Sequence, residues 1–233
     1  MHVVEHVGDD GAPVVLLIHG LTDSVASFAD VCAELTPEHT VVAYDRRGWG
    51  RSRDDAPPAS LADHAQDAIA TLAGRRATVV GHSYGGVVAL MTAVLRPDLV
   101  ASLAVFEPTV PFTDWWPDHD EMMRRSLELK PMMSRWNAGQ PRRTAEQRAA
   151  DEISMARDFS FVATAPFDFA DVTVPCLVGG SVDTTPWDFE SAGRLSELLH
   201  ADAVVFDDAG HTVHRTHPRQ FADFVRRAVA LGR

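Results

Sequence analysis

The chain has 233 residues, 45% hydrophobic and 23% charged, a balance that suits one soluble globular domain with a sizeable core and excludes a disordered or fibrous chain. With 33 acidic against 21 basic residues and a formal net charge of −12, it repels nucleic acid and anionic membrane surfaces on average, so neither is expected as a partner. Cys32 and Cys176 are too few for a disulfide framework, and neither a signal-like start nor an apolar stretch of bilayer length is visible, so a reducing, cytoplasmic setting is expected.

In chain order, His2 to His6 reads as one short strand, closed by the turn cluster Gly8-Asp9-Asp10-Gly11. Val14 to Ile18 is a continuous apolar run of the kind found in parallel strands covered on both faces, and it ends in His19-Gly20-Leu21-Thr22. A helix is expected over Ser24 to Leu35 and a buried strand over Val41 to Tyr44, followed by a polar, glycine-bearing loop from Asp45 to Ser52. Ser60 and Asp63 suit a capping box for a helix that keeps Leu61, Ala65, Ala68, Ile69 and Leu72 on one face. The β-branched run Thr78-Val79-Val80 stops at Gly81, an apolar helix resumes at Tyr84 and ends near Pro97, and Leu99 to Phe106 is another strand. Such alternation predicts an α/β fold, with right-handed crossovers and a mostly parallel central sheet flanked by helices.

The alternation breaks at Pro108. From 108 to 171 the chain is rich in Met and aromatic residues, among them Trp115, Trp116 and Trp136, and lacks strand-like runs. It reads as a small helical insertion, with 1–107 and 172–233 forming the core. An insertion this small cannot bury so many large side chains by itself, so some are expected to line a pocket for an apolar or aromatic small molecule. Alternation then resumes with a strand over Val174 to Gly179, a helix over Trp187 to Leu199, a strand over Ala203 to Phe206 and a helix after Pro218.

Between the strand ending at Gly81 and the helix starting at Tyr84, Gly81-His82-Ser83-Tyr84-Gly85 fits G-x-S-x-G. In that pattern a sharp turn lifts a serine hydroxyl clear of the sheet at a helix N-terminus, where free N–H groups can stabilise an oxyanion. A serine hydroxyl is a weak nucleophile at neutral pH, so Ser83 needs a general base, normally a histidine held by a carboxylate. Both should lie at the C-terminal ends of sheet strands. His211, in Asp208-Ala209-Gly210-His211, follows the last strand, and Asp183 follows the one before it. His211, His214 and His217 could be read as a metal cluster, but three-residue steps entering a helix are ordinary and a catalytic His211 explains the position better. No metal or cofactor is expected.

With these motifs in this order, the chain resembles the α/β-hydrolase superfamily along nearly its whole length. The resemblance rests on His19-Gly20, the D-x-R-G-x-G-x-S loop from Asp45 to Ser52, G-H-S-Y-G-G, the loop ending in Asp183, and the G-H-x-x-H-x-x-x-P pattern from Gly210 to Pro218. It implies an oxyanion hole made by the backbone N–H groups of Leu21 and Tyr84, and it makes the insertion a short cap. The leading hairpin looks truncated. The order Ser83, Asp183, His211 is the family's nucleophile, acid and base order, which favours Asp183 as the acid. Phe106-Glu107, followed by a proline- and tryptophan-bearing segment, resembles haloalkane dehalogenases that draw the acid from the earlier strand, which makes Glu107 the second candidate acid or a substrate contact. Ser83 itself argues against dehalogenases and epoxide hydrolases, whose nucleophile is aspartate. The expected activity is hydrolysis of a carboxylic ester, lactone or thioester through an acyl-enzyme. The alternatives are a C–C bond hydrolase, a lyase, a cofactor-free oxygenase or a non-catalytic ligand receptor. Nothing in the sequence sets the oligomeric state.

Overall fold

The computed structural model describes residues 1–118, 120–121, 124 and 143–233. Among them one sheet holds seven strands: β1 (Val3–His6), β2 (Val14–Ile18), β3 (Thr40–Tyr44), β4 (Ala77–His82), β5 (Val100–Phe106), β6 (Cys176–Asp183) and β7 (Asp202–Gly210). Their spatial order is β1-β3-β2-β4-β5-β6-β7, with β1 antiparallel to β3 and every other pair parallel. The parallel strands therefore send their C-terminal ends to the same edge, where loops can converge on a site.

Residues alternate across the sheet, so the strands feed two separate cores. On one face Leu16, Ile18, Val79, Leu103 and Val178 pack with α2 (Leu61–Leu72), α3 (Tyr84–Leu95), Leu195 and Cys176. On the other, Val15, Leu17, Val80, Ala104 and Leu177 pack with α1 (Ala29–Leu35), which carries Cys32, and with Phe221, Phe224 and Val225 near the C-terminus. α3 is buried almost all round, which explains why its sequence is apolar on every face.

Several boundaries differ from the sequence reading, each for a local reason. The helix expected from Ser24 starts as a 3-10 turn, Val25–Phe28, because the Val25 N–H donates to Asp45 Oδ1 (2.7 Å) before the regular helix begins at Ala29. The Ser60 hydroxyl does accept from the Asp63 N–H (3.2 Å), but the Asp63 carboxylate accepts from the Ala59 N–H (2.7 Å), so the capping box is shifted by one residue on that side. β6 and β7 run past their apolar cores to Asp183 and Gly210, which pair after a register shift. Their polar extensions form part of the sheet's C-terminal edge. Within 108–171 the described part includes α4 (Ala145–Ser160), whose capping box joins Thr144 and Gln147. After residue 171 the chain forms α5 (Pro186–Leu198), a short α6 (Val213–Thr216) absent from the sequence reading, and α7 (Pro218–Leu231). No described helix is long and apolar enough to cross a membrane.

Candidate active site

Ser83 stands between β4 and α3 with φ 54° and ψ −125°, a conformation that side-chain-bearing residues rarely adopt. The turn is held from both sides: the Ser83 N–H donates to the Phe106 carbonyl (2.9 Å), and the Ser83 carbonyl accepts from the N–H groups of Gly86 (2.8 Å) and Thr109 (3.3 Å). A Cβ at Gly85 would run into the Ile18 carbonyl, so only glycine lets α3 approach β2 this closely. The serine side chain is 8% exposed, and its Oγ lies 3.4 Å from the Thr109 hydroxyl, a neighbour that sequence reasoning did not single out.

His211 follows β7, and its Nδ1 lies 2.6 Å from Glu107 Oε2. Its backbone carbonyl is held by His82 Nε2 (2.6 Å), which brings the His211 loop against the residue beside Ser83. Glu107 is fully buried at the end of β5, also with a positive φ of 43°. Four donors converge on its carboxylate: the N–H (2.8 Å) and hydroxyl (2.5 Å) of Ser181 on Oε1, and the Thr184 hydroxyl (2.9 Å) and His211 on Oε2. Asp183, favoured from sequence, is exposed at the end of β6. Of the two candidate acids, Glu107 is the one whose carboxylate lies against His211 Nδ1, and β6 presents Ser181 and Thr184 to this strand-end glutamate. Their spacing before and after Asp183 was the available signal.

The charge arrangement suits a base. Burial pulls the His211 pKa down, but the hydrogen bond and charge of Glu107, with smaller help from Asp188 and Asp23, outweigh it and raise it above the usual histidine value. Burial, followed by the nearby histidines, holds His82 well below that value, so it is neutral. Behind it the buried Asp23 carboxylate meets His214 Nε2 (3.2 Å) and Arg215 (2.5 Å). Burial pushes the Asp23 pKa up, but His214 and other neighbouring groups outweigh it and hold the carboxyl below the usual carboxylate range. Asp23, His82 and His214 cluster closely enough to share a cation, yet the guanidinium on Asp23 and the carbonyl on His82 already engage two of the three. His217, the third histidine of the sequence pattern, has its Nδ1 against the Thr216 hydroxyl.

Of the expected oxyanion donors, Tyr84 directly follows Ser83 and Leu21 directly follows Gly20. Tyr84 is the first residue of α3, where an N–H has no acceptor within the helix. On the other side, a Cβ at Gly20 would come within 2.9 Å of Ser83 Cβ, so the β2 loop passes directly against the nucleophile turn. The buried Arg46 guanidinium donates to the carbonyls of His19 (3.1 Å) and Gly20 (3.1 Å), while the Arg46 N–H donates to His19 Nε2 (3.0 Å). Because a trans peptide points its N–H opposite to its carbonyl, holding the Gly20 oxygen turns the Leu21 N–H away from Arg46. Arg46 is neutralised by Asp158 of α4 (2.9 Å), both side chains being fully buried, and Asp158 also accepts from Trp49 Nε1 (2.9 Å) and faces His64 (3.1 Å). The Tyr84 hydroxyl closes the network on the Asp158 carbonyl (2.9 Å).

Trp115 and Trp116 pack against the hydrophobic core and line a cavity of about 280 Å³ with Trp187, and Asp114, Asp118 and Glu190 share its wall. Trp136 lies outside the described residues. A larger cavity of about 540 Å³ sits on the outer flank of β7 against α7, and its lining contains none of Ser83, Glu107 or His211.

The model of the alpha/beta hydrolase family matches residues 15–224, a span that includes the nucleophile turn, Glu107 and His211. The chain belongs to this family. Among relatives of this α/β hydrolase, a protein named putative carbamate hydrolase RutD from Rhizobium rhizogenes is 27% identical, covering 97% of each chain. Among solved structures, a membrane phospholipase A described as a bacterial virulence factor superposes with a TM-score of 0.74 at 21% identity, over 99% of this chain and 82% of that one. A structure from work on carboxylesterases of the thaumarchaeon Nitrososphaera gargenis gives 0.72 at 18% identity, over 99% and 94%. These structural likenesses carry the fold; family membership and the hydrolase-named relatives make the protein an enzyme of hydrolase class.

Proposed function

We propose that this α/β hydrolase is a serine hydrolase that cleaves the acyl–oxygen or acyl–sulfur bond of a carboxylic ester, lactone or thioester through an acyl-enzyme on Ser83. The observation that carries the reading is the Glu107–His211 pair at 2.6 Å, set at the sheet edge that also holds the positive-φ serine turn. In the proposed reaction His211 takes the Ser83 proton as the hydroxyl attacks, Glu107 holds the imidazole in the Nδ1–H tautomer, and the N–H groups of Leu21 and Tyr84 receive the oxyanion. His211 then returns the proton to the leaving group and activates water to release the acid. The 108–171 segment serves as a short cap, and its aromatic residues favour apolar or aromatic acyl or alcohol groups. The name of the carbamate-hydrolase relative supports a second substrate class, since a carbamate carbonyl would be attacked in the same way. The free, buried thiols of Cys32 and Cys176 support a reducing compartment.

A fluorophosphonate probe should add once, at Ser83, and Ser83→Ala should lower ester turnover roughly a millionfold, the loss found for serine removal in other triads. Ester turnover unchanged in Ser83→Ala would overturn the acyl-enzyme and promote the lyase or oxygenase reading, in which His211 moves protons without a covalent serine.

A further inference from the structure

One buried carboxylate beside the site has no part in the acyl-transfer steps. Asp188 lies in the first turn of α5 and is 7% exposed. The Thr185 oxygen accepts from the Asp188 N–H (3.2 Å) as an N-cap, and its hydroxyl donates to Asp188 Oδ2 (2.5 Å). Capping requires only the first of these contacts. It gives no reason for the Asp188 carboxylate to be turned out of water, into a cluster where a side-chain oxygen of Asp188, one of Glu107 and a ring nitrogen of His211 lie within 4.8 Å of one another. A second carboxylate so close to the first is costly to bury unless a nearby cation or a proton compensates it.

We infer that Asp188 is a positioning residue that acts through His211, setting the basicity of the imidazole and so the pH range in which Ser83 is activated. This rests on the reading of Ser83, His211 and Glu107 given above. Four donors converge on Glu107, whereas among the described residues the Asp188 carboxylate has the hydrogen bond from the Thr185 hydroxyl. Burial pushes the Asp188 carboxyl up, His211 and Thr185 oppose it, Glu107 adds to it, and the result is about 7. The groups facing this pair are Glu107 from the end of β5, Asp188 from α5, and Asp23 with His82 and His214 behind His211. An ionised Asp188 favours the imidazolium formed as Ser83 gives up its proton, whereas a protonated Asp188 does not. Asp188 and His211 therefore titrate as a coupled pair, with two apparent pKa values belonging to both.

The test is the pH profile of kcat/KM for the unaltered enzyme and for Asp188→Asn, whose amide oxygen can still accept from Thr185. The unaltered enzyme should lose activity on acidification in two steps, and Asp188→Asn in one, at lower pH than the upper step, with a lower maximal kcat because the imidazolium loses a neighbouring charge. An acid limb identical in both proteins would overturn the inference and leave Asp188 a helix cap. Should Asp188→Asn fail to fold, infrared spectra of the unaltered protein carrying isotope-labelled aspartate decide. A protonated aspartate band that grows in as pH falls across the acid limb supports the role, and its absence throughout that range overturns it. If Ser83→Ala and His211→Ala abolish turnover while Asp188→Asn leaves the limb in place, only the role of Asp188 falls. If they do not abolish turnover, the acyl-enzyme reading falls first.

Discussion

Glu107 and Asp183 are both acidic residues at the ends of neighbouring strands, and from sequence either could reach His211. What favours Glu107 is its set of donors, since Ser181 and Thr184 place an N–H and two hydroxyls on its carboxylate and His211 Nδ1 lies 2.6 Å from it. Glu107→Gln should therefore lower kcat by around ten-thousandfold through the wrong imidazole tautomer, while Asp183→Asn should keep most activity, both measured on one ester. The reverse order of damage would return the acid to Asp183. Because Glu107 raises the His211 pKa, the neutral base is lost as pH falls through a value above the ordinary 6.5 or so. Activity against pH, followed from the alkaline side, should show its acid limb there, and a limb well below 6.5 would contradict the pairing. The strand–turn–helix around Ser83 and the place of His211 directly after β7 were legible because these motifs are contiguous or follow a strand directly. Thr109, Asp188 and Asp158 were not, because each enters the site from an element whose approach is fixed only by packing.

At the scale of elements, the strands were legible wherever burial on both faces makes the run continuous, as in Val14 to Ile18, and illegible where β6 and β7 continue with polar residues. The segment 108–171 was legible as a break in alternation but not in how it attaches. That attachment is concentrated in α4, where Asp158 meets Arg46, Trp49 and His64, Ser154 donates to the Gly48 carbonyl (3.1 Å), and Asp151 pairs with Arg53 (2.7 Å) and Arg143. Removing one partner of a buried ion pair typically costs about 3–5 kcal/mol, so Asp158→Ala should lower the denaturant midpoint accordingly without changing the slope. Burial raises the Asp158 pKa, but Arg46 and His64 outweigh it and hold the carboxyl below the usual range. Its folded pKa being depressed, its contribution is complete above the unfolded value of about 3.9 and is lost as pH falls below it towards the folded value. Stability measured below about pH 4 should thus converge between Asp158→Ala and the unaltered protein. A difference that persists undiminished would assign the loss to packing instead.

At the scale of the whole molecule, aromatic residues of the 108–171 segment, including Phe112, Phe167 and Phe169, pack against the core while Trp115 and Trp116 border an acid-rimmed cavity. If apolar contacts dominate selection, kcat/KM should rise with acyl length by about 0.8 kcal/mol, roughly fourfold, per buried methylene until the space is filled. A flat series, or preference for cationic esters, would point instead to the carboxylates. The division of the interior into two cores has a practical consequence through its thiols. Cys32 belongs to one face of the sheet and Cys176 to the other, and burial pushes their pKa values up to about 11 and about 12. Neither is a reactive thiolate in the folded protein at neutral pH. Alkylation by a thiol reagent then becomes a clock for opening, with Cys32→Ser and Cys176→Ser each leaving one face to be timed alone. Because both faces share the same strands, the two clocks should run at the same rate, and a faster one would identify the side of the sheet that opens first.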